Sequence, residues 1–127
     1  MWFFMPTGFV SVVADQEDPT GEYLLVRARS RDHLRAFAGD DHDGRLEETS
    51  AADYRWRTWM TREDVSIRIA AHVATMTYSN FKNAIPREEH RYHDACMDVW
   101  SAMHGFQLQQ TTPQLVKRRL PNGMKRR

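Results

Sequence analysis

The chain has 127 residues, of which 41% are hydrophobic and 28% are charged, and its formal net charge is +1. This length suits one domain with a sizeable core, and the composition indicates neither a disordered chain nor a membrane-embedded one. The near-neutral total hides an uneven distribution, because residues 108–127 carry six basic residues and no acid, which leaves residues 1–107 at −5. The sequence predicts a single domain over residues 1–107 and a basic C-terminal tail over residues 108–127.

The cellular compartment is indicated by targeting signals and cysteine usage. The apolar start WFFMPTGF has no preceding basic segment and is interrupted by Pro6 and Gly8, unlike a secretory signal peptide. No run of about 18 apolar residues predicts a transmembrane helix. The single cysteine, Cys96, excludes an intramolecular disulfide and is typical of a buried, reduced thiol. We therefore expect a cytoplasmic protein that does not enter a membrane.

Two strands are predicted in the first 30 residues. Residues 9–13 are rich in β-branched side chains and follow a break at Pro6-Thr7-Gly8. Residues 22–29 alternate, with Leu24, Val26 and Ala28 on the face that should meet the core. The acidic, Pro- and Gly-containing stretch 15–21 predicts a loop that joins these strands in antiparallel fashion.

The middle of the chain predicts a short helix, a long loop and a third strand. Ser30 is a natural N-cap for a helix that ends at Gly39. Residues 40–53 are acidic and without a period, so they predict a loop that is long for a compact domain. Residues 54–60 read YRWRTWM, and strand alternation places Tyr54, Trp56 and Met60 towards the core.

The remainder of the domain is predicted to be helical. Thr61 caps a helix to about residue 77 whose apolar and small residues predict a well-buried element. A short helical turn is expected within residues 78–86. A last helix starts at Pro86 and runs through Gly105, because apolar residues recur at spacings of three and four: Tyr92, Cys96, Val99, Trp100, Met103 and Phe106.

The predicted order is β-β-α-β-α-α, which indicates the α+β class. The second strand, first helix and third strand should form a right-handed crossover, which would place those two strands parallel. We therefore predict a small mixed three-stranded sheet that is covered by helices on one face and has a ferredoxin-like arrangement.

Several histidines and acids are candidates for a catalytic or metal site. His90 and Asp94 are one helical turn apart, but no further ligands follow at a recognised spacing. The acid–base pairs His93 with Glu89, and His72 with Glu63 or Asp64, position no substrate. Cys96 sits on an apolar stripe that disfavours its thiolate, and the glycines are isolated rather than gathered in a phosphate loop. We predict no catalytic residue, no cofactor and no metal, although a histidine in a cleft would leave an enzyme open.

One predicted surface combines basic and aromatic residues. If the second and third strands are neighbours, the sheet face away from the helices carries Arg27, Arg29, Arg55, Arg57 and Trp59. Arg and Trp dominate protein interfaces, so the first hypothesis is a non-enzymatic protein that binds a protein partner or a second copy of itself.

Two other interpretations of this face remain open. The first is single-stranded nucleic acid, stacked on the same face and held by the basic tail. The tail residues that would contact it are Lys117, Arg118, Arg119, Lys125, Arg126 and Arg127. The second is an ordinary solvated face whose arginines pair with the acids of the long loop: Asp40, Asp41, Asp43, Glu47 and Glu48.

Five segments carry a resemblance to a known group of proteins. They are WFFMPTGFVSVV, LLVRAR, YRWRTWMTRED, YSNFKNAI and HRYHDACMDVW, and together they span most of residues 2–107. In these segments the chain resembles a family of small proteins of actinobacteria and their bacteriophages whose function is unassigned. The resemblance implies a bacterial or phage protein of the host cytoplasm, and it implies no reaction.

Overall fold

The computed structural model describes residues 1–117, with side chains described to residue 110. The chain divides into two compact units, Met1–Arg87 and Glu88–Arg127. The first unit holds the sheet and the shorter helices, and the second holds one long helix.

A five-stranded sheet forms the framework of the first unit. Its strands are β1 (Trp2–Met5), β2 (Gly8–Ala14), β3 (Tyr23–Ala28), β4 (Glu47–Glu48) and β5 (Trp56–Thr61). They lie in the order β1-β2-β3-β5-β4, and all four pairings are antiparallel. The helices of this unit are α1 (Arg31–Ala38), a 3-10 helix (Asp40–Arg45), α2 (Arg62–Ala74) and α3 (Phe81–Ala84).

The α+β class is confirmed, but the predicted number of three strands is wrong. β1 was missed because Pro6-Thr7-Gly8 was interpreted as a break, whereas Pro6 and Thr7 form a tight turn that pairs Met5 with Gly8. β4 was missed because two acidic residues inside a loop show no strand period. The short turn predicted within residues 78–86 is confirmed as α3.

The predicted parallel crossover between β3 and β5 is also wrong. β3 and β4 both run antiparallel to β5, so β3 and β4 run in the same direction with β5 between them. The chain crosses from β3 through α1 to β4, which is parallel to β3. It then reverses direction after β4 and enters β5. The sheet is therefore antiparallel rather than mixed, and a ferredoxin-like arrangement is not supported.

The core lies between one face of the sheet and the helices α1 and α2. Leu34 and Phe37 of α1 and Val65 of α2 are buried in one cluster with Val26 and Met60 of the sheet. Each buried Leu, Val, Phe or Met contributes about 1.5–3 kcal/mol relative to an exposed position. The hydrophobic effect therefore fixes which sheet face meets the helices, and it leaves the opposite face open.

The register predicted for β5 is confirmed within the strand and fails just before it. Trp56 packs against the core and Met60 is buried, whereas Trp59 is 39% exposed. Tyr54 is buried, but its ring lies 6.5 Å from that of Phe9 on the other face of the sheet. The reason is that β5 begins at Trp56, so strand alternation does not apply to Tyr54.

The predicted capping of α2 is confirmed, but its predicted burial is wrong. The Asp64 N–H donates to Thr61 Oγ1 at 3.1 Å, and the helix ends at Ala74 rather than near residue 77. Val65 is buried, whereas Ile67 and Val73 are 58% and 60% exposed. Since α1 already packs on β2, β3 and β5, only one side of α2 reaches the sheet.

The second unit contains α4 (His90–Lys117), which begins later and ends later than predicted. It passes through Gly105, because a single glycine costs a helix only about 1 kcal/mol relative to alanine. It also passes the predicted start of the tail at residue 108. Tyr92 and Cys96 are buried, but Met103 and Phe106 of the same predicted stripe are 59% and 51% exposed.

Candidate functional site

The sheet face opposite α1 and α2, which we term the open face, carries the predicted arginine and tryptophan residues. β3 and β5 are neighbours, which is the condition for this surface, and Arg27 is paired in register with Arg57. The next same-face pair along the strands is Leu25 with Trp59. On the other side of β3, Ser11 is paired with Arg27. The strand register thus brings three of the predicted residues onto one surface.

Two of the predicted arginines are held against Tyr54. The guanidinium carbons of Arg27 and Arg29 lie 4.5 Å and 4.3 Å from the centre of the Tyr54 ring, within the range of cation–π contacts. Arg27 Nη2 donates to Ser11 Oγ at 3.0 Å, and Arg29 Nη1 donates to the Asp53 carbonyl at 3.0 Å. Arg29 Nη1 also lies 3.4 Å from Asp53 Oδ1. These contacts fix both side chains and cover Tyr54.

Arg55 is paired within the chain, as expected if the face is solvated and its arginines pair with acids of the long loop. Its Nη2 lies 2.6 Å from Glu48 Oε1, and this pair is largely exposed. Asp40 and Asp41 of the predicted long loop pair with arginines outside this face, because Asp40 lies beside Arg35 and Asp41 lies beside Arg68. Arg55 and Arg29 thus each have an acidic partner from this loop, whereas Arg27 and Arg57 line the notch described next.

Arg57 and Trp59 border a depression, which we term the notch. Its volume is about 480 Å³. The notch is lined by strand residues of the open face and by the start of the β2–β3 loop: Val13, Ala14, Asp15, Gln16, Glu17, Leu25, Arg27, Arg57 and Trp59. Trp59 supplies a half-exposed aromatic wall, while Leu25 and Val13 supply an apolar floor between the strands.

The two guanidinium groups of the notch have incomplete hydrogen bonding. Arg57 Nη2 donates to the Tyr54 carbonyl at 3.4 Å. The Nε atoms of Arg27 and Arg57 are buried, and neither has an acceptor within the part of the chain that the structure describes. A buried donor without an acceptor costs about 1–3 kcal/mol. Arg57 faces the like charge of Arg27 on β3 and the opposite charge of Glu47 on β4. The notch thus combines two guanidinium groups, each with one buried N–H that no described residue accepts, with the carboxylates of Asp15 and Glu17 in the same lining.

Acidic residues limit which anions the notch accepts. Asp15 and Glu17 contribute to its lining, and Asp15 Oδ1 accepts the backbone N–H of Glu17 at 3.1 Å. Carboxylates near the rim repel an extended polyanion more strongly than a single negative group, since Coulomb energies add over every charge of the ligand. The arrangement suits one carboxylate with apolar neighbours.

An aromatic cluster on the open face was missed by the sequence prediction. The rings of Phe4 and Phe9 are stacked at 4.5 Å, and the Trp2 ring meets Phe9 edge-on at 5.7 Å. Because β1 was not predicted, Phe4 and Trp2 had no assigned face. The signal that would have found them is the pairing of the aromatic-rich segment WFFM with the β-branched segment GFVSVV across a Pro-Thr turn. The cluster extends the apolar part of the open face from β1 to Tyr54.

The histidines considered from the sequence are not gathered into one site. His93 Nδ1 lies 3.5 Å from Asp94 Oδ1, and His104 stacks on Trp100. His90 and His104 lie 14 residues apart on α4, which is about 21 Å along the helix axis. His72 meets the rings of Phe3 and Phe37.

The potential metal ligands and the cysteine also form no reactive site among the described residues. Within residues 1–110, no group of three or more His, Cys, Asp or Glu side chains has the arrangement that holds a metal ion. Burial raises the pKa of the Cys96 thiol, and a hydrogen bond with Tyr92 only partly offsets this effect. A protonated, buried thiol is a poor nucleophile.

Comparisons with known proteins add no assignment. No family model matches the chain, and neither the curated proteins nor the solved structures contain a match. In the described part of the chain, no helix is long and apolar enough to cross a membrane. The predicted nucleic-acid contacts Arg118, Arg119, Lys125, Arg126 and Arg127, and the side chain of Lys117, lie outside the described residues.

Proposed function

We propose that this chain is a non-enzymatic binding protein, of bacterial or phage origin, that engages a host or self protein through the notch. The observation that carries the proposal is the notch itself, in which the half-exposed Trp59 lies beside the guanidinium groups of Arg27 and Arg57. Trp and Arg in one partly desolvated pocket are the residue types that contribute most to protein–protein affinity.

The chemistry of the notch selects an acidic side chain of the partner. An Asp or Glu carboxylate has two oxygens, and charge-assisted bonds to guanidinium groups are among the strongest hydrogen bonds in proteins. Such a carboxylate would relieve the repulsion between Arg27 and Arg57. An apolar residue next to it in the partner would cover Trp59 and Leu25, which removes apolar surface from water.

Arg29 and Arg55 have supporting roles in this proposal. Arg29 fixes Tyr54 and the loop around Asp53, which positions Arg27. Arg55 is paired with Glu48 at the edge formed by β4 and β5. We therefore assign partner contact to Arg57 and Trp59 first, to Arg27 second, and only rim contact to Arg29 and Arg55.

A second candidate function is binding of single-stranded nucleic acid. It is favoured by one observation, namely that residues 108–127 contain six basic residues and no acid. Bases would stack on Trp59, and the basic residues would neutralise phosphates with a strong dependence on salt. Asp15 and Glu17 in the lining of the notch weigh against this candidate.

Selection of peptides from a displayed random library tests the first candidate. The full-length protein should enrich peptides that carry Asp or Glu beside an aromatic or aliphatic residue. The double variant Arg57→Gln, Trp59→Ala should lose this enrichment by at least about tenfold, the loss expected when interactions worth about 1.4 kcal/mol are removed. Arg55→Gln is the matched control, because it removes an arginine of the same strand region that is already paired with Glu48.

The wild type and the Arg57→Gln, Trp59→Ala double variant also distinguish the two candidate functions. Addition of an enriched peptide to ¹⁵N-labelled protein should shift the side-chain Nε–H signals of Arg27 and Arg57 and leave that of Arg55 in place. A titration with an oligothymidylate at low and at moderate salt tests the alternative. Equal enrichment by the wild type and the double variant, together with salt-sensitive oligothymidylate binding, would replace the protein-binding proposal with the nucleic-acid one.

A further inference from the structure

The helix α4 carries a seam with the spacing of a coiled coil. Residues Tyr92, Cys96, Val99, Met103, Phe106 and Gln110 follow one another at alternating steps of four and three. This heptad spacing keeps one stripe of a helix facing a neighbouring helix. Tyr92 and Cys96 are buried, but Val99, Met103 and Phe106 are 36%, 59% and 51% exposed. The second half of the seam is therefore accessible in the isolated chain.

The surroundings of this exposed seam are uncharged. No Asp, Glu, Lys or Arg occurs from Val99 to Val116, a stretch of 18 residues. A helix that faces water normally carries charged residues opposite its apolar stripe. The residues that flank the seam are Trp100, Ala102, Gln107 and Gln109, so two copies meet no like-charge repulsion there. Uncharged flanks also provide no complementary charge that would favour a different, charged partner helix.

We propose that Val99, Met103 and Phe106 form the interface of a homodimer in which α4 packs against α4 of a second copy in antiparallel orientation. A two-fold axis between Ala102 and Met103 places Val99 of each copy opposite Phe106 of the other and brings the two Met103 side chains next to the axis. A small residue then faces a large one, which is the arrangement that fills helix interfaces without voids. This surface belongs to the second unit and is independent of the notch.

The antiparallel orientation follows from charge and from the helix dipole. A parallel pair would bring together two C-terminal segments that carry six basic residues each. It would also align two helix dipoles side by side, whereas an antiparallel pair opposes them. Both effects disfavour the parallel arrangement, and neither depends on details of side-chain packing.

The size of the seam predicts a weak dimer. Large side chains bury roughly 150–250 Å² each, so half-exposed Trp100, Met103 and Phe106 with part of Val99 offer about 400 Å² per copy. Flanking His104, Gln107 and Gln110 raise the total over both copies to roughly 1,200 Å², the lower end of stable interfaces. We therefore expect a reversible dimer whose population rises with protein concentration.

Sedimentation equilibrium of the full-length protein over a wide concentration range tests the dimer. Met103→Glu and Phe106→Glu should each raise the dissociation constant by at least about tenfold, because the dimer would bury a carboxylate without a partner. Leu108→Glu is the matched control, since Leu108 is 55% exposed on the same helix but lies off the seam. Circular dichroism verifies that each variant keeps its helix content.

Disulfide trapping tests the orientation and does not depend on destabilising variants. In a Cys96→Ala background, Met103→Cys should form a disulfide dimer, whereas Val99→Cys and Phe106→Cys should cross-link only when the two proteins are mixed. Monomer at every concentration, or equal loss of dimer in Leu108→Glu and Phe106→Glu, overturns the proposal. Cross-linking of Phe106→Cys with itself overturns the antiparallel arrangement.

Discussion

Neighbouring arginines of the open face differ because of what each one contacts. Arg55 and Arg57 are two residues apart, yet Arg55 pairs with Glu48 while Arg57 keeps a buried Nε without an acceptor in the described part of the chain. The difference arises because β5 begins at Trp56, so that Arg57 is inside the ladder and Arg55 is not. The residue type alone therefore indicates a basic surface, but the position relative to the strand end decides which arginine lines the notch.

Gly8 is required by its environment rather than by sequence composition. Its φ is +151°, and a Cβ at this position would lie 2.5 Å from His33 Cγ. Gly8→Ala should lower the free energy of unfolding by about 2–4 kcal/mol, since it adds backbone strain to a steric clash. Urea denaturation measures the change. Gly44→Ala is the control, because no atom lies within 4 Å of its added Cβ; an equal loss in both variants would contradict the steric explanation.

Cys96 should be chemically inert in the folded protein. Its thiol is 6% exposed, and burial raises its pKa above the ordinary 9.0, so the thiolate is scarce at neutral pH. We expect reaction with a disulfide reagent at pH 8 to be at least about tenfold slower than in the urea-unfolded chain. Absorbance of the released thiolate follows the reaction. Equal rates in the folded and unfolded protein would show that the thiol is accessible.

At the level of single elements, the two N-caps provide a direct comparison. Thr61 Oγ1 accepts the Asp64 N–H at 3.1 Å, whereas Ser30 occupies the N-cap of α1 without a side-chain bond to the helix. Thr61→Ala should therefore lower the free energy of unfolding by about 1 kcal/mol, and Ser30→Ala should have a smaller effect. Chemical denaturation of both variants gives the two values. A larger loss in Ser30→Ala would mean that the cap assignments are reversed.

The continuity of α4 through Gly105 leads to a stabilising substitution. Nothing lies within 4 Å of a Cβ added at Gly105, which is inside the helix and off the proposed seam. Gly105→Ala should strengthen α4 by about 0.5–1 kcal/mol, because alanine loses less backbone entropy in a helix than glycine. Amide hydrogen exchange of the residues around position 105 reports this locally. Unchanged protection would indicate that the helix is interrupted there.

For the whole molecule, local patterns were predictable from the sequence and long-range pairings were not. The alternation in β3, the cap at Thr61 and the inward Trp56 follow from periodicity and capping chemistry, which act over a few residues. The order β1-β2-β3-β5-β4 depends on β4, two glutamates without any local strand signal. Similarly, Tyr54 joins the open face only through tertiary contacts with Arg27 and Arg29. The basic surface was predicted from the sequence. Which of its arginines lines the notch depends on the residue at which β5 begins, and the sequence alone did not show this.

The response of the whole molecule to acid follows from its charge distribution. All acidic residues lie in residues 1–107, and their protonation leaves a chain with 18 Lys and Arg and six His as its positive groups. Repulsion among these charges destabilises the compact state. At the same time, specific carboxylate contacts are lost. The pKa of Asp18 is lowered below its ordinary 3.8 by hydrogen bonds to its carboxylate. The largest effect comes from the Thr20 hydroxyl, followed by the backbone N–H groups of Tyr23 and Thr20.

The stabilisation from Asp18 is therefore present above pH 3.8 and is lost as the pH falls through its lower folded-state pKa. Asp18→Asn should be less stable than the wild type at pH 7 and equal to it at a pH below both pKa values. Urea denaturation at the two pH values measures this difference. Glu17→Gln is the control, because it removes a charge from the same loop and keeps the Asp18 contacts.

Added salt should restore part of the acid stability in all three proteins by screening general repulsion, but it should not remove the difference at pH 7, which comes from short hydrogen bonds. A difference that persists unchanged in acid would mean that the Asp18 carboxylate is not its source.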